Sequence, residues 1–343
     1  MQPGWPPWLS VLVLYSRVEA VTDGEPLDIL AEQETARVAE EIAAGLQGLG
    51  YHVACVGVTD DVEAAIEPFS PEEWLVFNVC ESPGGDPTLE ASVPPLLEAR
   101  GFAYTGSPGE TLAVCLDKAQ TKARLAAAGL PTPRCAVLSA PTQPCDVPLP
   151  ALVKPVAEDG SLGIGAESVV CDHQALARRV AYVVERYRQP ALVEEFIAGR
   201  EFNQAVWGNH PPQPLPTGEI NFQGIDDPLQ QICTYESKWV EDSFAYRHTP
   251  GVCPARLDPE LRARLVKTAV AAYRLLGCRD YARVDIRERE GIPYILEDTP
   301  TPTLASDAGF YRAARVAGFD HPRMAEHIVA MAWERWVGRG KRG

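Results

Sequence analysis

Residues 151–170 read ALVKPVAEDGSLGIGAESVV. An apolar run, Ala151-Leu152-Val153, ends on Lys154. Glu158, Gly160, Ser161 and Gly163 follow, and Ser168-Val169-Val170 resumes a strand-like pattern. A P-loop needs a helix after its glycines, so that the helix N-terminus faces the anion. Here the glycines join two strands, and the loop is expected to be a mobile flap whose backbone N–H groups close over phosphates. By themselves the glycines also fit a flexible hairpin with no ligand, so the reading depends on what flanks them.

Downstream, Ala191-Leu192-Val193 leads into Glu194, Glu195, Phe196 and Ile197, and Glu201 follows a turn at Gly199. Carboxylates at a strand end can accept hydrogen bonds from a nucleobase amine and from ribose hydroxyls, with Phe196 and Ile197 supplying backbone groups and apolar walls. A solvated strand end is the alternative. Further on, 281–287 and 293–297 alternate polar and apolar residues on either side of Gly291, which predicts a β-hairpin. If its loop is centred on Gly291, Asp285 faces Glu297 and Arg283 faces Thr299. Opposed carboxylates repel unless a cation sits between them. Hard oxygen donors suit Mg²⁺ carrying ATP phosphates, and Arg283 suits a developing anionic oxygen. A surface hairpin laced by ion pairs is the alternative.

Upstream, 9–15 reads as a buried strand, and Val38, Ile42, Leu46 and Leu49 recur at helical spacing before Gly50. Short strands are expected at 52–58, 75–79 and 102–105, with a helix at 93–100. The first 115 residues therefore suggest an open, mostly parallel α/β unit. No GxGxxG follows the first strand, so a dinucleotide site has no support. A helix is expected at 117–128, stopped by Gly129 and Pro131-Thr132-Pro133. From Leu152 the order changes to an α+β pattern, and the prolines between Gly208 and Gly218 mark a second joint. Expected units are 1–115, 116–207 and 208–343.

The 343 residues exceed one ordinary core. Apolar residues make up 46% and charged ones 23%, as in a folded enzyme. Thirty-one Lys and Arg against 47 Asp and Glu give a net charge of −16, which repels a phosphate backbone and argues against nucleic-acid or membrane partners. The run Val11–Tyr15 falls far short of the roughly 18 residues that span a bilayer and has no basic flank, so a cytoplasmic protein is expected. Nine cysteines without CxxC spacing are expected to be buried free thiols.

Taken in order, these segments resemble the ATP-grasp superfamily, and within it the D-alanine:D-alanine ligase family. The likeness spans nearly the whole chain. It runs through Phe77-Asn78, Tyr104-Thr105-Gly106-Ser107, Asp117-Lys118 with Lys122, Lys154-Pro155 and the flap. It continues through Glu194, Gly199-Arg200-Glu201, Gly218-Glu219-Ile220, Tyr235-Glu236-Ser237-Lys238, Cys253-Pro254-Ala255, Arg283-Val284-Asp285 and Leu296-Glu297. The resemblance implies an N-terminal open α/β domain and two α+β subdomains clasping ATP. Lys118 and Lys154 would contact phosphates, Glu194 the adenine, Glu201 the ribose, and Lys238 the γ-phosphate from a mobile loop. Asp285, Glu297 and Thr299 would hold Mg²⁺, or Mn²⁺ in its place, and Arg283 would stabilise a tetrahedral intermediate. The implied reaction phosphorylates one substrate's carboxylate, and the amine of a second amino acid or small peptide attacks the acyl phosphate. A homodimer is implied as well.

The sequence departs from the family at several points. Thr299 stands for the usual metal-binding asparagine, and Thr303 for a glycine facing the oxyanion. No Gly-Ser-Glu cluster stands out between Leu14 and Ala36; Gly160 takes the place of a flap serine and Trp239 that of a mobile-loop tyrosine. These changes suggest a ligase of the same mechanism for another amino-acid pair, or a homologue that binds ATP without catalysis.

Overall fold

The computed structural model describes residues 9–19 and 23–340. Three sheets follow one another along the chain. The first contains β1 (Ser10–Ser16), β2 (Val53–Val58), β3 (Trp74–Val79) and β4 (Ala103–Tyr104), in the order β2-β1-β3-β4 and parallel throughout. The second, antiparallel, contains β5 (Cys135–Leu138), β6 (Ala151–Pro155), β7 (Val169–Val170) and β8 (Ala191–Glu195), ordered β5-β8-β6-β7. The third contains β9 (Arg200–Trp207), β10 (Gln213–Pro214), β11 (Gly218–Ile220), β12 (Gly251–Val252), β13 (Tyr281–Arg289) and β14 (Ile292–Thr299). Its order is β12-β11-β9-β13-β14, with β10 beside β9.

Helices α1 (Ile29–Gly48), α2 (Val62–Ile66) and α3 (Val93–Ala99) alternate with the first strands, and α4 (Gly109–Leu116) and α5 (Lys118–Ala127) lead into the second sheet. Val38, Ile42 and Leu46, four residues apart, bury one stripe of α1 against the sheet. Helix α6 (His173–Tyr187) covers the second sheet with Val180 and Val183. The short α7 (Glu236–Trp239) and α8 (Phe244–His248) precede α9 (Pro259–Leu276), which packs Leu265, Ala269 and Tyr273 on the third sheet. Asp258 caps α9, its carboxylate accepting from the Leu261 N–H at 2.8 Å, and Gly277 ends the helix in the left-handed region. Helices α10 (Gly309–Val316) and α11 (His321–Gly340) close the fold.

The strands follow the alternating pattern of the sequence, while the sheets group the chain by pairing and not by the local breaks. The chain leaves the second sheet at Glu195 and enters the third at Arg200, so the boundary expected at 207/208 falls inside one sheet; β9 pairs with β10, β11 and β13 on either side of it. Helix α11, which lies within the 208–343 stretch, packs against α1, and Met324 and Ile328 share a core with Val11, Val13 and Ile42. Apolar side chains buried this fully contribute about 1.5–3 kcal/mol each, which outweighs proximity along the chain.

Asp280, fully buried before β13, fastens these parts together. Its carboxylate pairs with Arg335 of α11 at 2.8 Å and accepts from the Gly106 N–H at 2.9 Å and from Asn209 Nδ2 at 2.9 Å. The cysteines are free, but only Cys80, Cys115 and Cys278 are buried, while Cys55 and Cys171 are exposed on the surface. Among the described residues no helix is long and apolar enough to cross a membrane.

Candidate active site

The β13–β14 hairpin turns through Glu290-Gly291, both with positive φ (55° and 79°), as a two-residue turn of matching twist requires. From that turn Arg287 pairs with Tyr294 and Ile286 with Ile295. A β-bulge then leaves Leu296 unpaired, after which Asp285 pairs with Glu297 and Arg283 with Thr299. The expected pairing is present, although the turn is one position short of being centred on Gly291; without the bulge Asp285 would oppose Leu296. The bulge also turns the Leu296 carbonyl toward Lys122 Nζ, at 3.2 Å.

Charge is densely compensated on this face. Arg283 grips Asp285 with two bonds of 2.8 Å, and Asn203 Nδ2 donates to the same carboxylate at 2.7 Å. Glu297 meets Lys118 Nζ at 2.9 Å. Burial alone would raise the Glu297 carboxyl, but Lys118 and Lys154 outweigh it and hold the pKa at about 2. Lys118 also donates to the Glu158 carbonyl and lies 3.7 Å from Asp159, so the root of the flap is tied to β14.

The flap turns through Gly160, Ser161 and Gly163, all with positive φ. A Cβ on Gly163 would meet the Pro155 ring at 2.6 Å, so this glycine is required for the flap to lie against β6. Burial pushes the Glu158 carboxyl up to about 7 against the pull of Lys118, and Gln189 Nε2 donates to it at 2.8 Å. The indole N–H of Trp239 donates to the Gly160 carbonyl at 2.8 Å, so two of the positions that depart from the family touch each other.

Glu194, at the end of β8, lies between Lys122 (2.8 Å) and Lys154 (3.1 Å). Burial raises its carboxyl, but the two lysine charges prevail and keep it low. Lys122 was given no role from sequence, yet its spacing of four from Lys118 puts both lysines on one face of α5. Glu201 pairs with Arg287 at 2.8 Å, and Arg287 Nη1 donates to the Ile197 carbonyl at 3.0 Å; Glu195 pairs with Arg289 at 2.8 Å. Phe196 and Ile197 line a small slot with Lys154, Ser161 and Glu194, and Lys238 and Glu297 lie where this slot meets a larger cavity of about 880 Å³. Gly160, Arg283, Asp285 and Thr299 line that larger space. Lys118 and Gly163 stand behind it as supports.

One wall of the large cavity is acidic, a feature the sequence reading missed. Glu32 from α1, Glu81, Glu90 and the flap's Asp159 all line it. Ser82 donates to Glu32, which lies within the stretch where no polar cluster stood out; positions 20–22 of that stretch lie outside the described residues. Burial pushes Glu90 up to about 8, with Asp159 adding, despite a 2.8 Å bond from Thr301. The unfolded carboxyl titrates near about 4.3, so between that value and about 8 the folded chain holds the extra proton. Stability then falls as pH rises through this window. Glu90→Gln is expected to melt with the unaltered protein near pH 4 and several degrees above it at pH 8. Thermal melts across that range check this, and a pH-independent difference counts against it.

Comparison with known proteins gives a consistent result. Residues 138–330 match the family model described as D-ala D-ala ligase C-terminus. A D-alanine–D-alanine ligase from Desulforudis audaxviator is 35% identical over 317 residues, covering 89% of this chain and 96% of that protein. The protein y4sG of Sinorhizobium fredii, named as uncharacterized, is 33% identical over 89% of this chain and 90% of its own length. The solved structure of D-alanine–D-alanine ligase from Bacillus anthracis complexed with ATP superposes with a TM-score of 0.75 at 20% identity, covering 96% of this chain and 99% of that one.

Proposed function

The chain belongs to the D-alanine–D-alanine ligase family of ATP-grasp enzymes, and on that premise we propose that it uses ATP to join the carboxylate of one amino acid to the amine of another. The observation that carries this reading is the facing pair of charge clusters, Lys118 with Glu297 and Arg283 with Asp285, between the nucleotide slot and the large cavity.

In this reading the adenine lies against Phe196 and Ile197, and Glu194 and Glu201 accept from the nucleoside once their lysine and arginine partners shift. Lys118, Lys154 and Lys238 neutralise the triphosphate, as electrostatic catalysis of phosphoryl transfer requires. Asp285, Glu297 and Thr299 are hard oxygen donors suited to Mg²⁺ or Mn²⁺, which would screen phosphate charge there. The donor carboxylate takes the γ-phosphoryl group, the acceptor nitrogen attacks the acyl carbon after losing a proton, and the C–O bond to phosphate breaks. Arg283 faces the oxyanion that forms, and the flap excludes water.

The acidic wall of Glu32, Glu81, Glu90 and Asp159 is suited to the donor's ammonium group, in place of the family's usual polar cluster. The Trp239–Gly160 contact favours a donor other than D-alanine, because an indole fills space beside the flap. A homodimer, implied by the resemblance, and a cytoplasmic location complete the proposal.

The test is ADP and phosphate release with Mg-ATP across pairs of D- and L-amino acids, with mass analysis of products. An amide product supports the reading; bound ATP with no turnover for any pair supports a non-catalytic homologue instead. Trp239→Phe removes one hydrogen bond, worth about 0.5–1.5 kcal/mol, that helps hold the flap down. It is expected to raise phosphate release per amide formed above one, as water reaches the acyl phosphate. A ratio that stays at one would separate Trp239 from flap closure.

A further inference from the structure

The large cavity contains a cation that the reaction described above does not use. Arg312 projects into it from α10. Among the described residues no carboxylate lies within ion-pair distance of its guanidinium, whereas Arg283, in the same cavity, is paired with Asp285. Asp307 gives Arg312 only its backbone carbonyl and turns its carboxylate to Arg37, at 3.2 Å.

The space around Arg312 is shaped by two glycines. A Cβ on Gly251, in edge strand β12, would meet the guanidinium carbon at 2.6 Å, and a Cβ on Gly309 would meet Nη2 at 3.6 Å and Asn203 Oδ1 at 3.4 Å. Burial pulls the Arg312 pKa down; Asp307 opposes this and Arg283 adds to it, so the guanidinium stands in a setting that an added anion would relieve. The lining of the cavity thus carries both signs of charge, the carboxylates of α1 and the flap together with the guanidinium of Arg312.

Resting on the ligase reading, we propose that Arg312 anchors the carboxylate of the acceptor amino acid. Arginine offers a planar fork that matches a carboxylate with two parallel bonds. An acceptor held there points its amine back toward Arg283 and the acyl carbon, while the donor's ammonium lies at the acidic wall. Arg312 is a specificity residue: it selects acceptors that carry a free carboxylate over their amides.

The experiment uses the full chain with Mg-ATP, the amino acid that the pairwise screen identifies as donor, and D-alanine or D-alaninamide as acceptor, with products separated by mass. The unaltered protein is expected to favour the free acid. In Arg312→Gln the acceptor KM is expected to rise by about tenfold to a hundredfold, as loss of a charge-assisted pair predicts, with the ATP KM unchanged and the acid-over-amide preference gone. Arg312→Lys should restore part of the preference, and Gly251→Ala, which displaces the guanidinium, should mimic the glutamine variant. An unchanged preference in Arg312→Gln overturns the proposal. Calorimetric titration of D-alanine, L-alanine and acetate into the ADP-loaded protein tests it without turnover. Binding that weakens in Arg312→Gln supports the anchor; equal binding by both proteins, or none by the unaltered one, overturns it. Arg312-dependent binding without amide product for any substrate pair would instead count against the ligase reading.

Discussion

Glu297→Gln is expected to lower turnover by at least about a hundredfold, the scale of losing one preorganised electrostatic contact at a reacting centre, while the protein stays folded and still binds ATP. Glu297 is ionised far below neutrality because Lys118 and Lys154 hold it so. Glutamine keeps the shape and one acceptor oxygen but removes the charge that balances Lys118 and that a divalent cation would need. Its cross-strand partner Asp285 is committed to Arg283 and Asn203 and does not replace it. Amide formation per enzyme, measured beside ATP binding and a thermal melt, checks this. A rate within a few-fold of the unaltered protein would remove Glu297 from the proposed metal site.

Asp280→Ala acts on stability instead, with an expected loss of about 3–5 kcal/mol, typical of leaving one member of a buried ion pair without its partner. Arg335 would keep its charge in the interior without its carboxylate partner, left with the Tyr104 carbonyl at 2.7 Å and the Tyr104 ring at 5.4 Å. The Gly106 N–H and Asn209 would lose their acceptor as well, and alanine would inherit a backbone φ of +61° that disfavours a Cβ. Asparagine keeps one of the two acceptor oxygens and tolerates that φ, so Asp280→Asn should cost less than alanine, and less still when Arg335 becomes Met. Urea unfolding of the four proteins measures this; a loss under about 1 kcal/mol in Asp280→Ala would mean that the pair carries little net stability.

The fold was legible wherever local pattern decides geometry. The alternation in 281–297 announced the hairpin, and the glycines of 160–163 announced the flap between β6 and β7. What the sequence did not disclose depends on contacts between distant segments. Nothing local marks Arg312 as lacking a partner, because that depends on Asp307 turning to Arg37 and on Gly251 lying opposite. Glu194 and Glu201 read as acceptors open to a nucleoside, whereas the folded chain occupies both with its own cations. The bulge at Leu296 is likewise silent in sequence, since the 131–132 segment supports it from outside the hairpin, Pro131 accepting from the Ile295 N–H and Thr132 Oγ1 donating to the Ile295 carbonyl. The prolines after 207 report a break in local structure and not a change of sheet, since the third sheet runs across them.

The docking of α11 on α1 has a consequence for the chain as it leaves the ribosome. Strand β1 and helix α1 are synthesised long before Met324 and Ile328, which seal their apolar side and come roughly three hundred residues later. Throughout elongation the nascent first sheet carries an uncovered greasy flank, the kind of surface that engages chaperones and that aggregates when synthesis stalls. A chain cut short before α11 is made leaves β1 and α1 unfinished.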